Sequence, residues 1–505
     1  MSSPTGLSLR NFITCPHCWS EFPVDQVLWV SESSESLGDI RLGEAAQQRF
    51  LPTRFDARGL ALDSAGFACN KLACPHCHLV VPRPFLEIPP YFVSIVGAPA
   101  SGKSYFLASM IWKLRQTLPA EFGLAFSDAD PELNLRLHQY ESTQFISDNS
   151  DQLVALEKTE VYGSWYSTVL FNDQRISYPQ PFVFSMVPMS GHPHAGDALR
   201  YSHLLSLYDN AGESYLPGAD AGTHPVTRHL TQSHAIFFLY DPTQDHRFRA
   251  ACRGKSNDPQ LAESLDGIPV HRSPMRQDTI FTEMAKRIRQ QLGLPTGERT
   301  RKPLYVVVTK LDAWSHLLGE MDWSVPWKRV KSRDPANLIV MKNANRIQPV
   351  LPQQKPIPTE TEDEFDFADD LKDFFGIRHA LNNPAKVEPE QADEKTPEKE
   401  ETPKPFCSAL AGFSTRRVEE VSDRLRELLL KIAPEIVRNA EQFAAEVQFI
   451  PVSATGIAPS IDPKSGILGF RPKDISPVWA EVPILYALAK STRGIVPVLH
   501  PKKER

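Results

Sequence analysis

No stretch of this 505-residue chain approaches the roughly 18 to 20 consecutive apolar residues that a membrane-spanning helix needs, so no transmembrane segment is expected. The opening, MSSPTGLSLRNFITCPHC, also lacks a basic stretch leading into an apolar one, which argues against a secretory leader and for a cytoplasmic location. Charge of neither sign dominates. Lys and Arg number 55 against 61 Asp and Glu, and the formal −6 supplies no global basic field to draw in nucleic acid or an anionic membrane. Cysteine is scarce at seven residues, so this is no small disulfide-stapled scaffold. No internal sequence repeat is visible. Proline is the residue in excess: 44 are more than compact elements absorb, and part of the chain is expected to be linker. A chain of this length with ordinary apolar content is expected to form about two to four structural units.

The placement of the few cysteines carries chemistry. Two identical Cys-Pro-His-Cys tetrapeptides, Cys15 to Cys18 and Cys74 to Cys77, lie within residues 1–88. Each can offer two thiolates to one ion, and together they complete a tetrahedral four-sulfur site suited to Zn²⁺. His17, His76 and His78 are not needed when four thiolates are at hand, and Cys69 reads as a spare buried thiol. With all four positions filled by cysteine no place remains for an activated water, so the metal is expected to be structural. Residues 1–88 are therefore expected to be a zinc-binding module, tethered closely to whatever follows and able to present its state. Without a basic and aromatic cluster nearby, a protein partner is favoured over nucleic acid.

Beyond the module, short apolar β-branched runs at 91–96, 181–187, 204–208, 235–240, 304–308 and 447–452 read as strands. The second and third are joined by a Gly-His-Pro-His-Ala-Gly loop, as in a long hairpin. Helical patterns fall at 103–117, 278–292 and 415–444, and an amphipathic segment at 477–490 reads as a closing helix. Such alternation predicts an α/β domain with a mostly parallel sheet covered on both faces. Residues 118–180 show no clear period. Residues 350–405, which include VEPEQADEKTPEKEETPKP, are expected to be a disordered acidic insertion with one apolar island at 365–375. The domain thus divides into 89–349 and 406–505.

The strongest motif is Gly97, Ala98, Pro99, Ala100, Ser101, Gly102, Lys103 and Ser104, which fits the Walker A pattern GxxxxGK(S/T) between a predicted strand and a predicted helix. In that setting backbone N–H groups and the helix N-terminus wrap phosphates, Lys103 neutralises their charge and Ser104 ligates Mg²⁺. Tyr105 follows directly. Further loops close later strands, where ligands of α/β sheets bind. Asp209-Asn-Ala-Gly212 offers a carboxylate for Mg²⁺ and a glycine N–H for a γ-phosphate. Thr309-Lys310-Leu-Asp312 follows the strand at 304–308, and Ser453-Ala454 follows that at 447–452.

In these motifs and their order the chain resembles the Ras-like, translation-factor-related (TRAFAC-class) P-loop GTPases. The resemblance covers roughly 91–255, 278–312 and 415–495. It implies a six-stranded sheet with one antiparallel strand, GTP as substrate, Mg²⁺ as cofactor, and hydrolysis to GDP and phosphate acting as a switch on a protein effector or activator. Asp312 can accept from both N1–H and the 2-amine of guanine, a donor pair adenine lacks. By the resemblance Lys310 lies along the base and the Ala454 N–H faces guanine O6.

Departures from the pattern concern the catalytic loops. Thr309 stands where asparagine is commoner, although dynamin-like members share TKxD, and the loop is expected to be braced more weakly. Glu213 occupies the place of the glutamine that orients the attacking water. It can serve as a base with a raised pKa, or point away and leave hydrolysis slow without a partner. The Mg²⁺-binding threonine of the first switch has no clear counterpart, Thr168 being the nearest suggestion. A non-hydrolysing, nucleotide-braced adaptor and an ATP-driven machine are the alternatives. Stand-alone and conflict-system bacterial GTPases with zinc modules are the nearest family likeness.

Overall fold

Near-continuous apolar runs such as Ala235–Tyr240 and Leu304–Val308 are buried along their whole length, as parallel strands covered on both faces must be. A computed structural model of the chain describes residues 9–156, 166–172, 174–209, 228–265, 268–269, 276–331, 338–339, 409–462 and 468–499. Its main sheet contains β1 (Pro90–Gly97), β2 (Leu124–Asp128), β3 (Phe182–Pro188), β4 (His203–Asp209), β5 (Ala235–Tyr240), β6 (Leu304–Val308) and β7 (Val447–Pro451). The strand order is β2-β3-β4-β1-β5-β6-β7. From β4 to β7 every neighbouring pair is parallel, whereas β3 runs antiparallel to both β4 and β2.

Seven strands replace the six expected. The additional β2 forms the edge next to β3, from a stretch whose partly exposed LAFSD sequence has too little apolar alternation to announce a strand.

Helix α1 (Lys103–Phe122) continues beyond the expected end at 117, taking Pro119 into its last turn before Gly123 caps it at φ 64°. The pattern at 415–444 is two helices, α4 (Thr415–Ile432) and α5 (Pro434–Phe443), because Pro434 has no N–H to continue the first. In chain order α2 (Pro131–Phe145) and α3 (Gln277–Leu292) precede them, and α6 (Val482–Ser491) closes the domain. The closing helix starts later than 477 because Trp479 sits at φ 57° and Val478 is bridged to Ser453.

Strand parity assigns the two faces. Val93, Ile95, Leu205, Leu207, Phe237 and Val307 pack with α1 and α6 in one core. On the opposite face Ile236, Phe238, Leu304 and Val306 meet α3, α4 and α5. The rest of that face, Phe92, Val183, Leu204 and Tyr208, is covered by the N-terminal module, whose cysteines belong to the same apolar cluster. The module is thus part of the domain's wall.

Strand Trp327–Lys331 pairs antiparallel with Ala409–Phe413, so the chain on either side of residues 332–408 is held side by side. The predicted insertion at 350–405 and its island at 365–375 lie outside the described residues. Among the described residues no helix is long and apolar enough to cross a membrane.

Candidate functional site

The loop between β1 and α1 begins where Gly97 leaves the sheet. A Cβ there would come within 2.9 Å of both Leu239 O and Ser101 Oγ, so only glycine fits. Ala100 and Gly102 then take left-handed conformations, φ 59° and 85°, which curl the chain into a tight concave turn. The Lys103 ammonium is buried and donates to Gly97 O and Ala98 O, both at 3.0 Å. Lys103 and Ser104 open α1, placing both at a helix N-terminus. Pro99 O accepts from Gln244 Nε2 at 3.0 Å, and Ser101 O accepts from Thr309 Oγ1 at 3.2 Å. The Tyr105 side chain is turned elsewhere: its hydroxyl accepts from Leu156 N at 2.9 Å and its ring meets Phe470 edge-on.

The loops after β5, β6 and β7 interlock around this turn. Thr309 Oγ1 also donates to Tyr240 O at 3.3 Å, so the threonine ties β5 and the β1–α1 turn together through two long bonds. Lys310, at φ 57°, reaches the fully buried Asp241 at 2.6 Å and Thr243 Oγ1 at 3.2 Å. Ser453 Oγ donates to Asp312 Oδ1 and accepts from Gly456 N at 2.7 Å. Ala454 O accepts from Ser109 Oγ on α1 at 2.6 Å. Residues separated by some hundreds of positions therefore meet at the carboxyl ends of β1, β5, β6 and β7.

The electrostatics of this pocket centre on Asp312. Burial pushes its carboxyl up to about 6, the Ser453 hydroxyl counteracts, and the nearby charge of Asp258 adds to the rise. Asp258 was not legible as a site residue. It is 5% exposed at the start of a short 3₁₀ turn (Pro259–Leu261), which packs on the turn Pro242–Gln244 next to the Lys310 anchor. Burial raises it too, while the Gln260 amide and then the charge of Lys310 pull it back. The only sequence signal was an Asp-Pro pair, which marks countless turns.

Asp209 ends β4 and is level with Ile95 of β1, one strand from the turn between β1 and α1. Gly212 and Glu213 lie outside the described residues. Thr168 is exposed on a hairpin, Tyr166–Phe171 with Gln174–Pro179, and its hydroxyl faces Ser177 Oγ at 3.4 Å. That hairpin leans on the module, Leu170 N donating to Arg41 O at 2.7 Å.

In the module each Cys-Pro-His-Cys segment forms the turn of a hairpin, Phe12–Thr14 with Glu21–Pro23 and Leu72–Ala73 with Val80–Val81. The two turns share one geometry. Each is followed by a left-handed residue, Trp19 at 57° and His78 at 62°, and each directs an amide at its first sulfur, His17 N to Cys15 at 3.4 Å and His76 N to Cys74 at 3.3 Å. The sulfurs of Cys15, Cys18, Cys74 and Cys77 are buried and lie within 4.8 Å of one another. Cys15–Cys77 and Cys18–Cys74 are each 3.7 Å apart, against about 3.8 Å for sulfurs tetrahedrally placed around zinc at about 2.3 Å. Burial raises the Cys15 thiol while Cys18 is drawn down by the other three sulfurs, a competition that a dication would end. The cluster can bind a metal such as zinc. His17 and His78 are engaged elsewhere, on Val80 O at 2.9 Å and on Asp39 at 2.8 Å. Cys69 is a separate buried thiol.

Comparison with protein-family models, with curated proteins and with solved structures returned no match.

Proposed function

We propose that the chain is a guanine-nucleotide-binding P-loop protein of the Ras-like kind, which hydrolyses GTP slowly without a partner and acts as a switch on another protein. One observation carries this reading: the turn holding Lys103 and the loops holding Lys310, Asp312 and Ala454 interlock at one edge of a parallel sheet. The strand order, with β1 central and β3 as the antiparallel partner of β4, supports it.

In this reading the turn's amides and Lys103 hold the β- and γ-phosphates, while Ser104 and Asp209 would hold Mg²⁺, which supplies charge neutralisation at the phosphates. Lys310, fixed by Asp241, is presented along the base, and Asp312, oriented by Ser453, accepts from the two guanine donors. Zn²⁺ is the metal that best suits the four thiolates, in a structural role. The protein partner is unidentified, and a nucleic acid is the less favoured one.

The test is purification followed by titration with GDP, GTP, ADP and ATP in Mg²⁺. Guanine nucleotides are expected to bind, with Asp312→Ala weakening them roughly 100-fold, since unmet charged hydrogen bonds are worth a few kcal/mol. Retention of adenine nucleotides with indifference to guanine sinks the proposal. Binding without any turnover, even with cell extract added, would make the chain a nucleotide-braced adaptor.

A further inference from the structure

The metal knuckle does more than close the module. Trp19, directly after Cys18, donates from Nε1 to Tyr208 Oη at 3.0 Å, and Tyr208 Oη donates in turn to Pro16 O, between Cys15 and His17, at 2.7 Å. Trp19 and Tyr208 are buried and in edge contact, with ring centroids 5.6 Å apart. Tyr208 is the residue before Asp209 on β4. The same two rings enclose His229, at 5.8 Å from Trp19 and stacked on Tyr208 at 5.2 Å. His229 is on the helix Arg228–Gln232, and its Nδ1 is bonded to Ser94 Oγ on β1. One knuckle therefore grips β4 beside Asp209, β1 three residues before Gly97, and the helix where the described chain resumes after Asp209.

Packing alone could seat the module with aliphatic side chains, but here a backbone carbonyl of the knuckle is the acceptor for the residue next to Asp209. A hydrogen-bonded chain of buried rings resists sliding, because each displaced group would be left unsatisfied. We propose that Trp19 and Tyr208 are positioning residues: through them the cysteine-bound metal fixes the β4 end that presents Asp209, so metal binding in the module and Mg²⁺-nucleotide binding reinforce each other. This rests on the nucleotide reading above.

Linkage makes the effect reciprocal. In the full-length protein the affinity for GDP is measured with Mg²⁺ and with Mg²⁺ removed, for the wild type, Tyr208→Phe and Trp19→Phe. Tyr208→Phe keeps the ring and removes both hydrogen bonds of its hydroxyl, whereas Trp19→Phe removes the Nε1–H donor together with part of the indole's packing. Both variants are expected to keep the cysteine-bound metal, to bind GDP normally without Mg²⁺, and to lose roughly tenfold of the affinity that Mg²⁺ adds, the worth of about one buried bond. An unchanged Mg²⁺ gain overturns the inference, as does a parallel loss with and without Mg²⁺. Wild-type protein supplies a second measurement that no folding defect can confuse. Competition with a chelator should show the module holding zinc more tightly when Mg²⁺ and GDP are present, and equal zinc affinity overturns the coupling. Failure of the wild type to bind any guanine nucleotide would instead sink the nucleotide reading and this inference with it.

Discussion

Asp312 is the residue whose titration reports most directly on the pocket. Burial raises its carboxyl to about 6, so in the free protein its ionised form is disfavoured; as pH rises from about 4 towards 6 this costs at most roughly 3 kcal/mol of stability. In the guanine-nucleotide reading proposed above, Asp312 accepts from the base only when ionised, so the sign for binding is opposite. GDP affinity should be flat above pH 7 and fall roughly tenfold per pH unit below 6, measured by titration between pH 5 and 8. Asp258→Asn removes the like charge that helps raise Asp312, and the midpoint should move to lower pH. A midpoint that stays in place would mean that Asp258 does not act on Asp312. The anchor Asp241 offers a second check. It is fully buried against Lys310, and Asp241→Asn should cost about 3 kcal/mol, read by denaturant unfolding, because it leaves the lysine without its counter-charge.

The turn between β1 and α1 gives a sharper contrast between two glycines. Gly97→Ala would drive a methyl against the Leu239 carbonyl, which is backbone and cannot swing aside, and should destabilise by about 2 kcal/mol or more. Gly102 has open space around it but sits at φ 85°, so Gly102→Ala should cost only about 1 kcal/mol. Equal effects in urea unfolding would contradict the geometry. The elements themselves were legible to different degrees. The buried strands announced themselves because parallel strands need unbroken apolar runs, and the turn at 97–104 because Gly97 leaves no room for a Cβ and Gly102 takes a positive φ. Strand β2 and the break at Pro434 were less legible, since a short edge strand bears little apolar pattern and α4 and α5 share one amphipathic stripe across the break. Thr309 was expected to brace its loop weakly; its hydroxyl bonds are long at 3.2 and 3.3 Å, while its backbone donates to Tyr240 O at 2.9 Å and accepts from Trp314 Nε1 at 2.8 Å.

Across the whole molecule the module and the sheet share one apolar cluster, in which Trp19, Phe22 and Trp29 lie with Phe92, Leu204 and Tyr208. With zinc in the four-cysteine site, as proposed, chelating it should therefore not melt the module alone. Calorimetry is expected to show one cooperative transition lowered by roughly 10 °C, because loss of the site strips a face of the sheet. Two separate transitions, the later one unmoved, would show that the module is an independent bead. The amino-acid order made legible the four cysteines that can hold a metal, the glycine-rich turn at 97–104 and the succession of strands, because cysteine spacing, glycine conformation and apolar periodicity are local properties. Folding alone decided that the knuckle lies against Tyr208 and His229, that the charge of Asp258 adds to the rise of Asp312, and that the hairpin carrying Thr168 leans on the module. Those are contacts between residues distant in the chain, set by which faces had to be covered, and no local pattern encodes them.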